Sequence, residues 1–212
     1  MKPSRPAHCP GVKHDARMSL QDCVISRRQL LGLGVSRQEI RCLLRRRELV
    51  RVHPGVYVNH TGPLTRSQQE WVAVLACWPA ALSHSSALDR NREGPVHVAI
   101  DLRRTVIAPP GVIVHRMSSL GDRVRWNASP PTVRLEHAAL DVAGEQPDIA
   151  AMFRVFADAV QSRRTTAVRL REAVDSRPRV ARRRLMIDLL SDLADGACSV
   201  QERPDLVDRG AP

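Results

Sequence analysis

Hydrophobic residues recur at three- and four-residue spacing over residues 36–49, which predicts an amphipathic helix. The apolar stripe of this helix consists of Ile40, Leu43 and Leu44, with Cys42 at its edge. Ser36 is predicted to cap the helix, because its hydroxyl can accept the backbone N–H of Glu39 while the Glu39 carboxylate reaches back to the backbone of Ser36. Gly34 is placed to end a preceding helix, since glycine tolerates a left-handed backbone.

A β-hairpin is predicted directly after this helix. Residues 49–51 and 56–58 alternate like two paired strands, and Pro54-Gly55 supplies the turn between them. Two short helices, a tight turn and a hairpin over residues 24–58 together predict a winged helix-turn-helix.

For the rest of the chain, the sequence predicts short strands and then helices. Runs rich in β-branched residues predict strands over 95–101 and 111–117, with a third near 124–126. Helices are predicted over 66–77, from a cap at Ser83 through 88, and over 132–142, 149–161, 166–176 and 179–195, where Gly196 ends the last one. The fold class is therefore α+β, an N-terminal winged helix-turn-helix followed by a small sheet and a helical C-terminal half. The predicted divisions are a disordered tail over 1–17, the winged helix-turn-helix over 18–62, an α+β domain over 63–195 and an irregular tail over 196–212.

Positive charge is concentrated in the N-terminal third of the chain, within a formal net charge of +11. Residues 1–66 contain 13 Lys and Arg against 4 Asp and Glu, a net of +9, whereas residues 67–212 contain 20 against 18, a net of +2. A local excess of this kind favours a polyanionic partner. A second basic run, Arg177, Arg179 and residues 182–184, lies near the head of the last predicted helix, where a solvated helix face is favoured over a phosphate or acidic-partner contact.

The charged helix predicts an interface with double-stranded DNA. Guanidinium groups and an amide on a helix that fits the major groove can meet guanine edges and phosphates together. The candidate DNA-binding residues are Arg37, Gln38 and Arg41 for base edges, Arg45, Arg46 and Arg47 for phosphates, Arg51 and His53 for wing contacts, and Ser36 at the helix start. The alternative is that these arginines form only the solvated face of a helix in an arginine-rich protein.

Patterns for catalysis and metal binding are weak. Ser83-His84-Ser85 contains residue types of nucleophilic catalysis, but adjacent residues rarely have the required geometry and no G-x-S-x-G elbow is present, so a capped helix start is favoured. His97 and His115 could face each other across paired strands, with Asp101 as the only obvious third metal ligand; hydrogen-bonded or solvated histidines are the favoured interpretation. We therefore predict no metal, no cofactor, no catalytic residue and no enzymatic activity.

Cysteine usage and hydropathy predict a cytoplasmic protein. The five cysteines are scattered and include no C-x-x-C pair, which disfavours zinc and disulfide frameworks. The sequence contains no apolar run long enough to span a membrane and no secretory segment near residue 1. We expect a reduced protein without a membrane partner.

The order of the segments resembles a known family. VISRRQLLGLGVSRQEIRCLLRRRELVRVHPGVYV, then LTRSQQEWVAVLACWPAALSHSSAL, then PVHVAIDLRR and GVIVHRM are similar to the winged-helix-headed proteins with an AbiEi-type antitoxin domain, of type IV toxin–antitoxin systems. The resemblance covers about residues 20–195. It implies a DNA-binding transcriptional regulator of antitoxin type, with residues 63–195 as the antitoxin-like domain. It also implies a nucleotidyltransferase-type toxin as a candidate partner, and a homodimer is a candidate state.

Members with this layout often carry a C-terminal endonuclease-like domain of the very-short-patch-repair type, in the PD-(D/E)xK superfamily. The segment DGACSVQERPDLVDRGAP resembles the entrance to that domain, and Glu202 would match the acidic residue on its first helix. The sequence stops before the metal-binding Asp and the E-x-K motif, so we expect a chain truncated before the nuclease domain that does not cleave DNA. The alternatives are a truncated endonuclease that still cuts and a toxin-binding module without DNA binding.

Overall fold

A computed structural model describes residues 15–201 of the chain. The fold class is α+β, as predicted, with helices and two small sheets. The chain divides into two compact units, residues 1–133 and 134–212. The predicted boundary at residue 62 therefore falls inside the first unit.

The first unit begins with a three-stranded antiparallel sheet and three helices. The elements are α1 (Asp15–Ser19), β1 (Val24–Ser26), α2 (Arg27–Gly32), α3 (Arg37–Arg45), β2 (Val50–His53) and β3 (Val56–Val58). The strand order is β1-β3-β2. The two helices, the turn and the hairpin lie where the sequence predicts them, except that α3 ends at Arg45 and does not continue to residue 49. Strand β1 was not predicted. Val24 and Ile25 are both fully buried, which suits a strand covered on both faces rather than the start of an amphipathic helix.

The turn between α2 and α3 is fixed by a Schellman motif, which confirms the predicted role of Gly34. Gly34 has a φ of +81°, a backbone conformation that glycine adopts without steric cost. The backbone N–H of Val35 donates to the carbonyl of Leu30, and that of Gly34 to the carbonyl of Leu31, each at 3.0 Å. Val35 and Leu30 are also buried in the same hydrophobic cluster. The motif ends α2 sharply and directs the chain into α3.

The small sheet is covered on both faces. Ile25, Tyr57 and Ile40 belong to the hydrophobic cluster on the α2–α3 side. On the other side, Val56 and Val58 pack with Trp71 of α4 (Arg66–Ala76). Thr65 caps α4 by accepting from the backbone N–H of Gln68, as the predicted helix start requires. The packing of α4 on this sheet explains why the first compact unit extends past residue 62.

A second, five-stranded sheet completes the first unit. Its elements are β4 (Ala80–Leu82), α5 (His84–Leu88), β5 (Val96–Asp101), β6 (Val112–Met117), α6 (Leu120–Arg123), β7 (Val124–Arg125) and β8 (Thr132–Val133), with strand order β6-β5-β4-β8-β7. Strands β5 and β6 are parallel, with Val96 opposite Val112 and Asp101 opposite Met117. The predicted strands at 95–101, 111–117 and 124–126 are confirmed within a residue or two at their ends.

One strand of this sheet was not predicted, and one sequence prediction is wrong. Strand β4 was not predicted, because three small or apolar residues give no alternation to detect. Residues 132–133 were assigned to the start of a helix, but β-branched Thr132 and Val133 are buried as an inner strand. The helix begins only at Leu135.

The second unit consists of four helices within the described residues. They are α7 (Leu135–Gly144), α8 (Ile149–Gln161), α9 (Ala167–Asp175) and α10 (Arg183–Gln201). Asp148 and Thr166 cap α8 and α9 through their side chains. The predicted end of the last helix at Gly196 is wrong, since α10 continues to Gln201. A single glycine costs a helix only about 1 kcal/mol relative to alanine, which does not suffice to end it.

The predicted tails lie mostly outside the described residues. Residues 1–14 and 202–212, including Glu202, are among those not described. Asp15–Ser19 forms α1, so helical structure begins within the stretch predicted to be a disordered tail. Among the helices that are described, none is both long and apolar enough to cross a membrane.

Candidate nucleic-acid interface

Helix α3 starts at a reciprocal cap. The Ser36 hydroxyl accepts the backbone N–H of Glu39 at 3.1 Å, and the Glu39 carboxylate accepts the backbone N–H of Ser36 at 2.7 Å. This is the predicted capping box, and it satisfies two of the donors that a helix N-terminus leaves open. Ser36 is exposed, so the cap fixes the start of α3 at the protein surface.

The arginines of α3 form one exposed stripe. Arg37, Arg41 and Arg45 are spaced by four residues and are all exposed, whereas Ile40 is buried on the side that faces the sheet. A depression of about 330 Å³ beside this stripe is lined by Arg27, Arg37, Arg41 and Arg51, together with Ile40, Leu44 and Tyr57. A second depression of about 310 Å³ is lined by Gln38, Arg41, Leu44 and Arg45. Arg41 therefore stands between the two depressions.

Among the described residues, no salt bridge neutralises the positive charge of this stripe. Within residues 17–196, no carboxylate forms a salt bridge with Arg37, Arg41 or Arg51. Arg45 donates to Cys42 Sγ at 3.2 Å, which orients its side chain without cancelling its charge. Guanidinium groups with this exposure and spacing are available to an anion.

The end of α3 holds the other two predicted phosphate-binding arginines. Arg46 is the C-cap and lies 3.8 Å from the Glu48 carboxylate, a pair that is largely exposed and therefore weak. Arg47 follows with a φ of +60°. Its backbone N–H donates to the carbonyl of Leu44 at 3.2 Å, so it occupies the position that usually carries glycine. Both side chains are exposed at the same end of the helix.

The two predicted wing residues, Arg51 and His53, line different depressions of the surface. Arg51 is exposed on β2, opposite Tyr57, and lines the depression beside α3. The strand pairing shifts between Arg51 and His53, as in a β-bulge, which interrupts the alternation of side chains. His53 is half-buried and lines a different depression, together with Pro95 and Pro110. The structure therefore groups Arg51 with α3 and leaves His53 out of that group.

Sequence reasoning missed Arg27, which belongs to the arginine-lined depression. Arg27 is the first residue of α2, and its backbone N–H donates to the carbonyl of Gly55 at 2.7 Å. This bond ties the start of α2 to the turn of the hairpin and brings a fourth guanidinium beside α3. The pattern S-x-x-Q at Ser26 and Gln29, which forms a second capping box, was the available signal for a helix starting at Arg27.

Three arginines of the second basic run form hydrogen bonds and an ion pair within the second unit. Arg177 is buried and pairs with Asp141 at 2.5 Å. Arg183 donates to the carbonyls of Val174 and Arg177 at 2.9 and 2.8 Å. Arg182 donates to the carbonyl of Gln146 at 2.8 Å. These three arginines therefore join the ends of helices, which accounts for their presence without a phosphate ligand.

Three histidines meet at the β5–β6 pair, in what we call the histidine cluster: His84, His97 and His115. His97 Nδ1 lies 2.9 Å from His115 Nε2, and the rings of His84 and His115 stack with centroids 3.4 Å apart. The expected facing of the two strand histidines is present. However, the third member is His84 and not Asp101, which lies at the other end of β5 and accepts the backbone N–H of Arg103.

The immediate surroundings of the histidine cluster are partly buried and positive. Burial lowers the pKa of His97 below its ordinary value, and the charges of Arg92 and Arg66 lower it further. The helix cap expected of Ser83 is not formed through its side chain, because Ser83 Oγ instead lies 3.2 Å from His84 Nδ1. Ser83 therefore orients an imidazole.

Neither the protein-family models nor the curated proteins contain a match to this chain.

Proposed function

We propose that this protein binds double-stranded DNA through α3, as a winged helix-turn-helix in which the β2–β3 hairpin is the wing. The observation that carries the proposal is the exposed arginine stripe of α3, with Arg27 and Arg51 beside it and no salt bridge to Arg37, Arg41 or Arg51 among the described residues. The capping, the turn, the hairpin and the charge all agree with a DNA-binding helix. This agreement favours DNA binding by α3 over the alternative that its arginines form only a solvated helix face.

The dimensions and chemistry of α3 suit the major groove of B-DNA. With its side chains an α-helix is about 10–12 Å in diameter, which matches the major-groove width of about 12 Å, and the nine residues of α3 give it a length of about 13 Å. Arg37, Gln38 and Arg41 lie in the N-terminal half, where a recognition helix meets base edges. Arg45, Arg46 and Arg47 lie at its other end, where phosphates of the groove wall would be met. Arg27 and Arg51 extend the positive surface towards the adjacent backbone.

The finer role that we propose is transcriptional regulation by an antitoxin of AbiEi type, without enzymatic activity. Its support is the resemblance of the segment order, joined to the arginine stripe of α3. In that role the protein would bind an operator in the cytoplasm and repress its own operon. A nucleotidyltransferase toxin and a second copy of the chain are the partners that the resemblance implies.

The test compares one predicted base contact with one predicted phosphate contact. Arg41→Ala should weaken binding to the preferred duplex by about 1–3 kcal/mol, roughly 5- to 160-fold, and should flatten the preference among sequences, because a bidentate contact to guanine is lost. Arg46→Ala should weaken binding to all duplexes by the same factor. Fluorescence anisotropy with duplexes selected from a random pool, and with scrambled duplexes, gives both quantities.

The matched control is Arg154→Ala, which removes an exposed arginine from α8 and changes the net charge equally. It should bind as the parent protein does. If Arg41→Ala and Arg46→Ala also bound as the parent does, α3 would not be the DNA-binding element.

A further inference from the structure

The histidine cluster brings three ring nitrogens within reach of one metal ion. One nitrogen from each of His84, His97 and His115 lies within 4.8 Å of the other two, and within the described part of the chain no other group of His, Cys, Asp or Glu does this. His84 is buried, and the other two are half-buried. We propose that the cluster is a binding site for a divalent transition metal ion, with Zn²⁺ the best match among biologically common ions.

The distances require only a small adjustment of the side chains. Zinc binds imidazole nitrogen at about 2.0–2.1 Å with tetrahedral angles, which places ligand nitrogens about 3.3–3.4 Å apart. His97 Nδ1 and His115 Nε2 are already 2.9 Å apart, so these two rings need to separate by a few tenths of an ångström. The nitrogen of His84 lies within 4.8 Å of the other two, so it needs to move by at most about 1.5 Å to reach this separation.

The backbone holds His84 towards the other two histidines. His84 has a φ of +47°, a left-handed conformation that is unfavourable for a non-glycine residue and persists only where the surrounding structure fixes it. That structure is provided by Ser83 and Ser86. The backbone N–H of Ser83 donates to the carbonyl of His97 at 2.9 Å, and the backbone N–H of His97 donates to Ser86 Oγ at 3.0 Å. The start of helix α5 is therefore hydrogen-bonded to β5 through both the N–H and the carbonyl of His97.

A hydrogen-bonding partner for a ligand ring is also present. Metal-binding histidines usually engage the ring nitrogen that does not bind the ion, which fixes the ring orientation. Ser83 Oγ, at 3.2 Å from His84 Nδ1, is placed for this role. Three nitrogen donors leave a fourth position of a tetrahedral ion for water or another ligand, as in sites where zinc has three protein ligands.

The ligand type restricts the ions that the cluster would select. Three imidazoles and no carboxylate suit Zn²⁺, Cu²⁺, Ni²⁺ and Co²⁺, and disfavour Mg²⁺ and Ca²⁺, which prefer oxygen. The positive charges of Arg66 and Arg92 act on His97 and oppose a cation, so we expect an affinity below that of an uncharged three-histidine site. A hydrogen-bonded stack of imidazoles without any ion is the competing interpretation of the same geometry.

The experiment uses the full chain, prepared without a polyhistidine tag and freed of metal. Titration with Co²⁺ should give one equivalent of visible d–d absorption with nitrogen-type ligation and no sulfur-to-cobalt charge transfer, which excludes the cysteines as ligands. Zn²⁺ should displace the Co²⁺ spectrum at one equivalent. At a Zn²⁺ concentration about 100 times the Kd, the Tm should rise by about 5 °C or more, since the ion binds the folded state.

Two variants locate the site. His84→Asn keeps a residue that tolerates the left-handed backbone, and His115→Gln keeps a neutral polar side chain; each should lower the metal affinity at least tenfold. His60→Gln, outside the cluster, is the matched control and should bind as the parent does. Absence of Co²⁺ and Zn²⁺ binding by the parent protein overturns the proposal, and this result does not depend on whether the variants fold. Binding that survives both cluster substitutions overturns it as well.

Discussion

Arg41 is the residue on which the proposed DNA interface is centred. It lines both depressions on the exposed face of α3, and its neighbours along the stripe are Arg37 and Arg45. Its position in the helix was predictable, since Ile40 and Leu44 set the buried side and the stripe follows from helical spacing. The participation of Arg27 was not predictable from helical spacing, because a hydrogen bond from its backbone N–H to Gly55 places it there.

Arg47, at the end of α3, has a strained left-handed backbone conformation. Its φ of +60° places an arginine where glycine is favoured. We expect Arg47→Gly to raise the free energy of unfolding by several tenths to about 1 kcal/mol, because the strain of a non-glycine residue in this conformation exceeds the extra entropy of glycine in the unfolded chain. The same substitution should weaken DNA binding by removing a phosphate contact.

Urea denaturation measures the stability change, and Arg46→Gly is its control. Arg46 has right-handed helical backbone angles, so glycine there should lower the free energy of unfolding. If both substitutions destabilised the protein equally, the left-handed conformation of Arg47 would carry no strain.

At the scale of the element, α4 carries a buried carboxylate with an altered pKa. Glu70 is 1% exposed, and Arg90 donates to its Oε2 at 2.9 and 2.7 Å through Nε and Nη2. Burial raises the pKa of Glu70 and outweighs the opposing effects of Arg90 and Arg66, which lower it. The folded state therefore favours the protonated carboxyl more than the unfolded state does.

This shift predicts a pH dependence of stability. The stabilisation from Glu70 is fully present below the pKa of the unfolded chain, near 4.5, and is lost as the pH rises through the raised pKa of the folded state. Glu70→Gln should not show this loss, because its side chain does not ionise. Urea denaturation of the parent protein and of Glu70→Gln, at a series of pH values from 4.5 upwards, gives the difference between their free energies of unfolding. A difference that is independent of pH, or that changes in favour of the parent as the pH rises, would contradict the assignment.

Elements with a strong local signal were predictable, and those fixed by distant contacts were not. Helix α8 covers Ile149–Gln161 as predicted, because an apolar period follows a capping residue, Asp148. Strands β1 and β4 have three residues each and acquire their structure only from pairing with β3 and with β5 and β8. The bulge before His53 also arises from pairing, so no signal in the sequence indicated that His53 and Arg51 line different depressions.

The histidine cluster illustrates the same limit. His97 and His115 could be placed face to face from their strands alone. The third ring belongs to His84, whose backbone is left-handed. No periodic pattern of residues in the sequence predicts that conformation. Asp101 was the obvious third ligand in the sequence, but four residues of extended strand separate it from His97 and place it at the other end of β5.

For the whole molecule, the distribution of charge is the feature that the sequence predicted most directly. The net charge of +9 in residues 1–66 includes the arginines exposed on and beside α3, whereas residues 67–212 have a net charge of only +2. In the second unit, arginines such as Arg177 and Arg183 are used to join helix ends. The excess charge available to a polyanion therefore lies in the first unit.

The salt dependence of duplex binding tests the central claim most directly. If about five arginines displace counterions from phosphates, the logarithm of the association constant should fall with the logarithm of salt concentration with a slope of roughly −4 to −5. The double variant Arg45→Ala/Arg46→Ala should make this slope less steep by about 2, whereas Arg154→Ala/Arg169→Ala, with the same change in net charge, should leave it unchanged. A slope near zero, or one that both double variants alter equally, would contradict the account.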